Sequence, residues 1–141
     1  MFPALGLMVT PFRLISTVSE FTWIFDQARW NVFTDPAGPD YQAGLAALVL
    51  GETIANSGLI CVYVVTAYRF FSRKAGAPHA YICMLFVGYG IQVADMVGMA
   101  MVGPETLTAV ELGRTIGAGI MPGLWVAYFL SSERVKKTFV F

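Results

Sequence analysis

The sequence predicts an all-α fold, an integral membrane four-helix bundle with both termini in the cytoplasm. The chain has 141 residues, of which 57% are hydrophobic and only 13% are charged, and its mean hydropathy is +0.66. A soluble domain usually has about 25% charged residues, so this composition is typical of a membrane protein. The net charge of zero provides no basic field that would attract nucleic acid.

Four segments have the length of a membrane span, which needs about 20 mostly apolar residues in an α-helix. They cover approximately residues 4–25, 43–71, 79–102 and 108–130, with a cytoplasmic tail at 131–141, all in one domain. Pro11, Arg13 and Glu20 interrupt the first segment, which makes it the weakest of the four. It lacks the basic start of a signal peptide, so we interpret it as a retained helix.

The basic residues of the connecting segments are distributed unequally. Six of them lie in the 69–78 link and the tail: Arg69, Arg73, Lys74, Arg134, Lys136 and Lys137. The 26–42 connection, in contrast, carries only Arg29. Because lysine and arginine are retained in the cytoplasm, we expect a multi-pass protein of the bacterial inner membrane, with residues 26–42 and 103–107 on the periplasmic side.

Each predicted span also carries charged residues into the membrane. The ionisable and amide side chains in question are Arg13, Glu20, Glu52, Asn56, Gln92, Asp95, Glu111 and Arg114. A charge at the bilayer centre costs at least about 2.5–3.5 kcal/mol, so we expect these side chains to turn inward and pair as an intramembrane polar network. Such a network is either an ion-paired lock that fixes helix register or a pathway for a proton, an ion or a ligand.

The fourth segment contains two local motifs. Thr108 followed by Glu111 predicts a capping box, in which each side chain satisfies a backbone amide at the start of a helix. Gly113, Gly117 and Gly119 form a small-residue stripe of the kind that lets membrane helices approach closely. We interpret this stripe as helix packing inside the bundle, with dimerisation as the alternative.

Aromatic and basic residues near the predicted membrane surfaces are candidates for contact with lipid or a partner protein. They are Trp30, Tyr41, Arg134, Lys136, Lys137, Phe139 and Phe141. The tail residues among them are expected to be exposed, because they follow the basic cluster after the last span.

Known catalytic and cofactor motifs are missing from the sequence. The single histidine, His79, cannot form a bis-histidine haem site, and we find no catalytic triad or phosphate loop. Met96, Met99 and Met101 could in principle bind Cu(I), but packing is the more common role of methionine. We therefore expect no metal, no cofactor and no enzyme activity.

The tail and three other stretches resemble a known family. The closing residues Tyr128, Ser131, Arg134, Val135, Lys136, Thr138 and Phe139 match its C-terminal signature, and TPFRLI at 10–15, WNVFTDPAGPDYQAG at 30–44 and LGRTIGAGIMPGLWVAYFL at 112–130 are also similar. The chain resembles the bacterial domain-of-unknown-function family 2569, small four-span inner-membrane proteins. The family often has a Gly-Gly-Trp-Leu stretch before the first helix, whereas this chain begins MFPALG.

The resemblance implies a four-span bundle and brings no established activity. We therefore expect a non-enzymatic accessory or assembly subunit of a larger membrane protein complex, embedded in the lipid bilayer. The alternative is a small proton- or ion-coupled carrier that uses the buried Glu, Asp and Arg residues. A carrier usually shows paired broken helices, and only the fourth segment has a Gly/Pro break here, which favours the accessory subunit.

Overall fold

The computed structural model describes residues 2–39, 41–103 and 108–139, which form six α-helices and no strand. The helices are α1 (Phe2–Glu20), α2 (Gln27–Thr34), α3 (Leu45–Phe71), α4 (Ala77–Val102), α5 (Ala109–Ser131) and α6 (Glu133–Thr138). A short 3-10 helix, Thr22–Phe25, follows α1. The all-helical prediction is confirmed.

The short helices α2 and α6 lie where the sequence analysis placed a connection and a tail. Helix α2 begins because Asp26 caps it: its Oδ1 accepts hydrogen bonds from the backbone amides of Ala28, at 3.0 Å, and Arg29, at 3.4 Å. An aspartate at this position satisfies amides that have no partner within the helix. Neither short helix has the long apolar pattern on which the sequence analysis relied.

Helices α3 and α4 are long and apolar enough to cross a membrane. The core helix of a soluble protein can have the same length and composition, but its residues are mostly buried. Here only 11% of the most apolar part of α3 and 6% of that of α4 is buried within the protein. Most side chains in these parts of both helices are therefore not buried within the protein, as is typical of lipid-facing residues.

The accessible surface of the chain supports the same interpretation. It measures 9265 Å², whereas a folded soluble monomer of 15.4 kDa exposes about 7,200 Å². Many of the largest apolar side chains contribute to the excess, for example Phe12, Ile54 and Met101. Such a surface is suited to contact with lipid or with other helices.

Helices α1 and α5 have 19 and 23 residues, enough for about 28 and 34 Å of helix. Both contain a proline, Pro11 in α1 and Pro122 in α5. Neither is as continuously apolar as α3 and α4.

The long helices pack in the order α1, α3, α4, α5, and the core lies at one end of this arrangement. We call it the basic end; there α3 leads into α4 through residues 72–76, and α6 follows α5. The buried cluster consists of Leu7, Tyr81, Met84, Phe129 and Val135. Aromatic rings join the helices at this end, with centroids 4.7 Å apart for Tyr81 and Phe129.

Candidate functional site

A polar groove lies between α4 and α5, at the end of the molecule opposite the basic end. It has a volume of about 260 Å³. Its lining residues are Gln92, Asp95, Met96, Met99, Glu111, Arg114 and Thr115. We call this end, where α3 starts, α4 ends and α5 starts, the groove end. The groove brings together four of the eight residues of the predicted polar network.

A second, mainly apolar cavity of about 240 Å³ lies between α3 and α4, and both Glu52 and Asp95 line it. Glu52 is seven residues after the start of α3, and Asp95 is seven residues before the end of α4. Because the two helices run in opposite directions, both carboxylates lie about 10 Å along their helices from the groove end. Asp95 lines both cavities, so it lies between Glu52 on α3 and the groove residues on α5.

Within the described residues, the two salt bridges lie outside this constellation. Arg29 pairs with Asp26 at 3.7 Å and Lys136 with Glu133 at 2.9 Å, and all four side chains are exposed. Asp95 and Arg114 line the same groove without forming an ion pair within 4.0 Å. The structure thus brings the charges of the groove end close together without the bidentate contacts that make an Arg–carboxylate pair strong.

Glu111 has a structural role that accounts for its position. The Thr108 hydroxyl accepts a hydrogen bond from the Glu111 amide at 3.2 Å, and the Thr108 amide donates to Glu111 Oε2 at 3.5 Å. This confirms the predicted capping box at the start of α5. The Glu111 carboxylate is therefore held at the helix terminus beside the groove.

Three members of the predicted network lie outside the two cavities. Arg13 and Glu20 are exposed on α1, and Asn56 is buried on α3. Arg13 and Glu20 do not reach the groove because α1 packs mainly on α3, whereas the groove lies between α4 and α5. The sequence spacing predicts how far along α1 these two residues lie, but it does not predict which helices pack against α1.

Of the three glycines in the predicted stripe, only Gly119 packs closely against another helix in the described part of the chain. A Cβ atom added at Gly119 would lie 2.8 Å from Cζ of Tyr89 on α4, so this glycine is needed for close packing. No atom of another helix lies within 4 Å of the corresponding position at Gly113 or Gly117, and both are exposed. A further close approach, between Gly98 on α4 and Leu48 on α3, was missed by the sequence analysis, although a glycine in an apolar helix is a signal for it.

The candidate contact residues are found in different environments. Tyr41, Lys136 and Lys137 are exposed, Trp30 is half-buried, and Arg134 is exposed beside a cavity at the basic end. Phe139 was expected to be exposed but is half-buried, and its ring centroid lies 5.2 Å from that of Phe70. The short helix α6 brings it back onto the core. Phe141 lies outside the described residues.

The two cavities of the groove end are lined by three carboxylates, an amide and a guanidinium: Glu52, Asp95, Glu111, Gln92 and Arg114. In membrane proteins, carboxylates within the spans take part in proton relays and ion pathways, and they also act as contacts between helices. Among the described residues, no group of three or more His, Cys, Asp or Glu side chains is placed to hold a metal ion.

Comparison with known proteins gives one family. A family model described as "Protein of unknown function (DUF2569)" matches residues 1–140. No curated protein and no solved structure matches the chain significantly.

Proposed function

The chain therefore belongs to the DUF2569 family, and we propose that it is a non-enzymatic accessory subunit of a larger protein complex in the bacterial inner membrane. In this proposal α1, α3, α4 and α5 all cross the bilayer, with the basic end in the cytoplasm. The concentration of basic residues at that end supports the orientation, because lysine and arginine remain on the cytoplasmic side.

The observation that carries the proposal is the exposure of Arg13. Its side chain faces outward on α1 and forms no salt bridge within the described residues. In a membrane-spanning α1, Arg13 lies about 16 Å from the start and 10 Å from the end of the helix. Long basic side chains reach the interface easily only near helix ends. A partner helix with a carboxylate would satisfy this guanidinium and cover the α1 face around it.

Site-specific photo-crosslinking in native membranes tests this partner. A photoreactive residue replaces Phe12, which is 73% exposed beside Arg13, or Ile54 on α3, which is 72% exposed and serves as the control. We expect a discrete protein adduct from position 12. Arg13→Gln should reduce that adduct about tenfold, whereas Arg29→Gln, which removes a charge paired with Asp26, should leave it unchanged.

A charge exchange identifies the contact itself. Once the partner is sequenced, Arg13→Glu combined with an arginine at the partner's intramembrane acid should restore the adduct that Arg13→Glu alone removes. Adducts with lipid alone at position 12, or an adduct of equal yield in Arg13→Gln, would contradict the proposal.

The alternative function is a small proton- or ion-coupled carrier, and the shared cavity of Glu52 and Asp95 supports it. Neutralising either carboxylate should then abolish ion-dependent flux into liposomes that contain the purified protein. Glu20→Gln is the matched control, because Glu20 is an exposed carboxylate away from both cavities. Equal flux in all three variants, or none above protein-free liposomes, would exclude the carrier.

A further inference from the structure

A cavity of about 670 Å³ lies at the basic end, remote from the polar groove. Its walls come from the start of α1, the end of α3, the end of α5 and the α6 segment. Aromatic side chains form much of its lining: Phe70, Phe71, Trp125, Tyr128, Phe129 and Phe139. This volume is within the range of small-molecule sites in proteins.

Two arginines, Arg73 and Arg134, supply the charge of this cavity. Neither takes part in a salt bridge within the described residues, and no carboxylate is among the described residues that line the cavity. The nearby Glu133 carboxylate is paired with Lys136 instead. The cavity therefore combines apolar aromatic walls with two cations for which the described residues supply no counter-charge.

The backbone conformation at Arg73 is an independent indication that its side chain has a function. Helix α3 ends in a Schellman motif, with the Arg73 amide donating to the Phe70 carbonyl at 3.1 Å and the Lys74 amide to the Arg69 carbonyl at 3.0 Å. Arg73 has φ = +54°, the left-handed position where glycine is usual. Strained positions of this kind are concentrated at functional sites, and an arginine here places a guanidinium beside the cavity where glycine would provide none.

The geometry points to a binding site for one phospholipid with an anionic headgroup. Guanidinium groups hold phosphate through charge-assisted hydrogen bonds, and aromatic residues suit the boundary between lipid and water. Basic pockets between membrane helices bind anionic headgroups in this way. The phosphate would lie between Arg73 and Arg134, and the acyl chains would run along the aromatic wall.

Native mass spectrometry of the full chain in neutral detergent tests the site. The probes are dioleoyl phosphatidylglycerol, dioleoyl phosphatidylcholine as the net-neutral lipid, and glycerol 3-phosphate as the headgroup without chains. We expect one phosphatidylglycerol to be retained at least tenfold more strongly than either other probe. Arg73→Gly and Arg134→Ala should each weaken that retention about tenfold.

Two controls separate the site from general attraction and from misfolding. Lys74→Gln removes an exposed charge next to Arg73 that does not line the cavity, so phosphatidylglycerol retention should be unchanged. In the absence of added lipid, the melting temperature of Arg73→Gly should equal or exceed that of the unmodified protein, because glycine suits the left-handed position.

Three results would overturn the inference. Equal loss of retention in Lys74→Gln would indicate surface charge alone. Equal binding of phosphatidylcholine would indicate an apolar cavity without headgroup recognition. Binding of glycerol 3-phosphate as strong as that of the lipid would indicate a site for soluble phosphates.

Discussion

The two ends of this molecule are built on different principles. At the basic end, side chains from α1, α4, α5 and α6 form a buried aromatic and apolar cluster. At the groove end, α3, α4 and α5 leave a polar groove and a cavity between them, lined by Glu52, Asp95 and Arg114 among others. The buried core therefore lies at one end of the helices, and the carboxylates that line the cavities lie at the other end.

The difference has a physical reason. Ring contacts such as that between Tyr81 and Phe129 contribute favourable burial with few polar groups to satisfy. At the groove end, each charged group needs partners before close packing becomes favourable. Cavities lined by such groups are suited to binding an ion, which is the basis of the carrier proposed above as the alternative function.

The sharpest test of this comparison uses one methionine from each end. Met84 is 1% exposed in the basic-end cluster, whereas Met101 is 81% exposed near the end of α4. Met84→Ala should reduce the free energy of unfolding in detergent by about 2–5 kcal/mol, because it leaves a cavity in the core. Met101→Ala should change it by less than about 0.5 kcal/mol. Equal effects would mean that stability is not concentrated at the basic end.

Two glycines of α5 should differ less in the effect of substitution on stability. Gly119→Ala places a methyl group against the Tyr89 ring and should destabilise the protein by about 1–3 kcal/mol through overpacking. Gly117→Ala meets no atom within 4 Å and should be neutral or stabilise by up to about 1 kcal/mol, since alanine favours the helix. Thermal unfolding in detergent measures both variants. A loss for Gly117→Ala of the same size would indicate that the exposed stripe contacts another helix.

The sequence was informative where a signal is local or periodic. Long apolar runs located the four long helices, and the spacing of Thr108 and Glu111 identified the capping box. It was less informative about which helices are neighbours, so Arg13 and Glu20 were grouped with charges that lie between α4 and α5. The turn of α6 that returns Phe139 to the core also depends on tertiary contacts with Phe70, which no local pattern contains.

The smallest expected effect concerns the groove charges themselves. Asp95→Asn keeps the shape of the side chain but removes its charge, in a cavity that Asp95 shares with the Glu52 carboxylate. Because no ion pair joins Asp95 to Arg114 within 4.0 Å, the free energy of unfolding should stay within about 0.5 kcal/mol of the original value, or rise slightly because the repulsion between the Asp95 and Glu52 carboxylates is removed. Thermal unfolding of the variant in detergent provides the measurement.

Arg114→Gln and the double variant complete this test. If Asp95 and Arg114 act independently, their effects should add within about 0.3–0.5 kcal/mol. An ion-paired lock predicts a different pattern, because removing one partner of a buried pair costs about 3–5 kcal/mol in soluble proteins and removing both recovers much of that loss. Interhelical hydrogen bonds in membranes average only about 0.6 kcal/mol, so the non-additivity is more diagnostic than the size of either single effect. A large loss in Asp95→Asn that Arg114→Gln restores would show that the groove end, like the basic end, is held together by contacts within the chain.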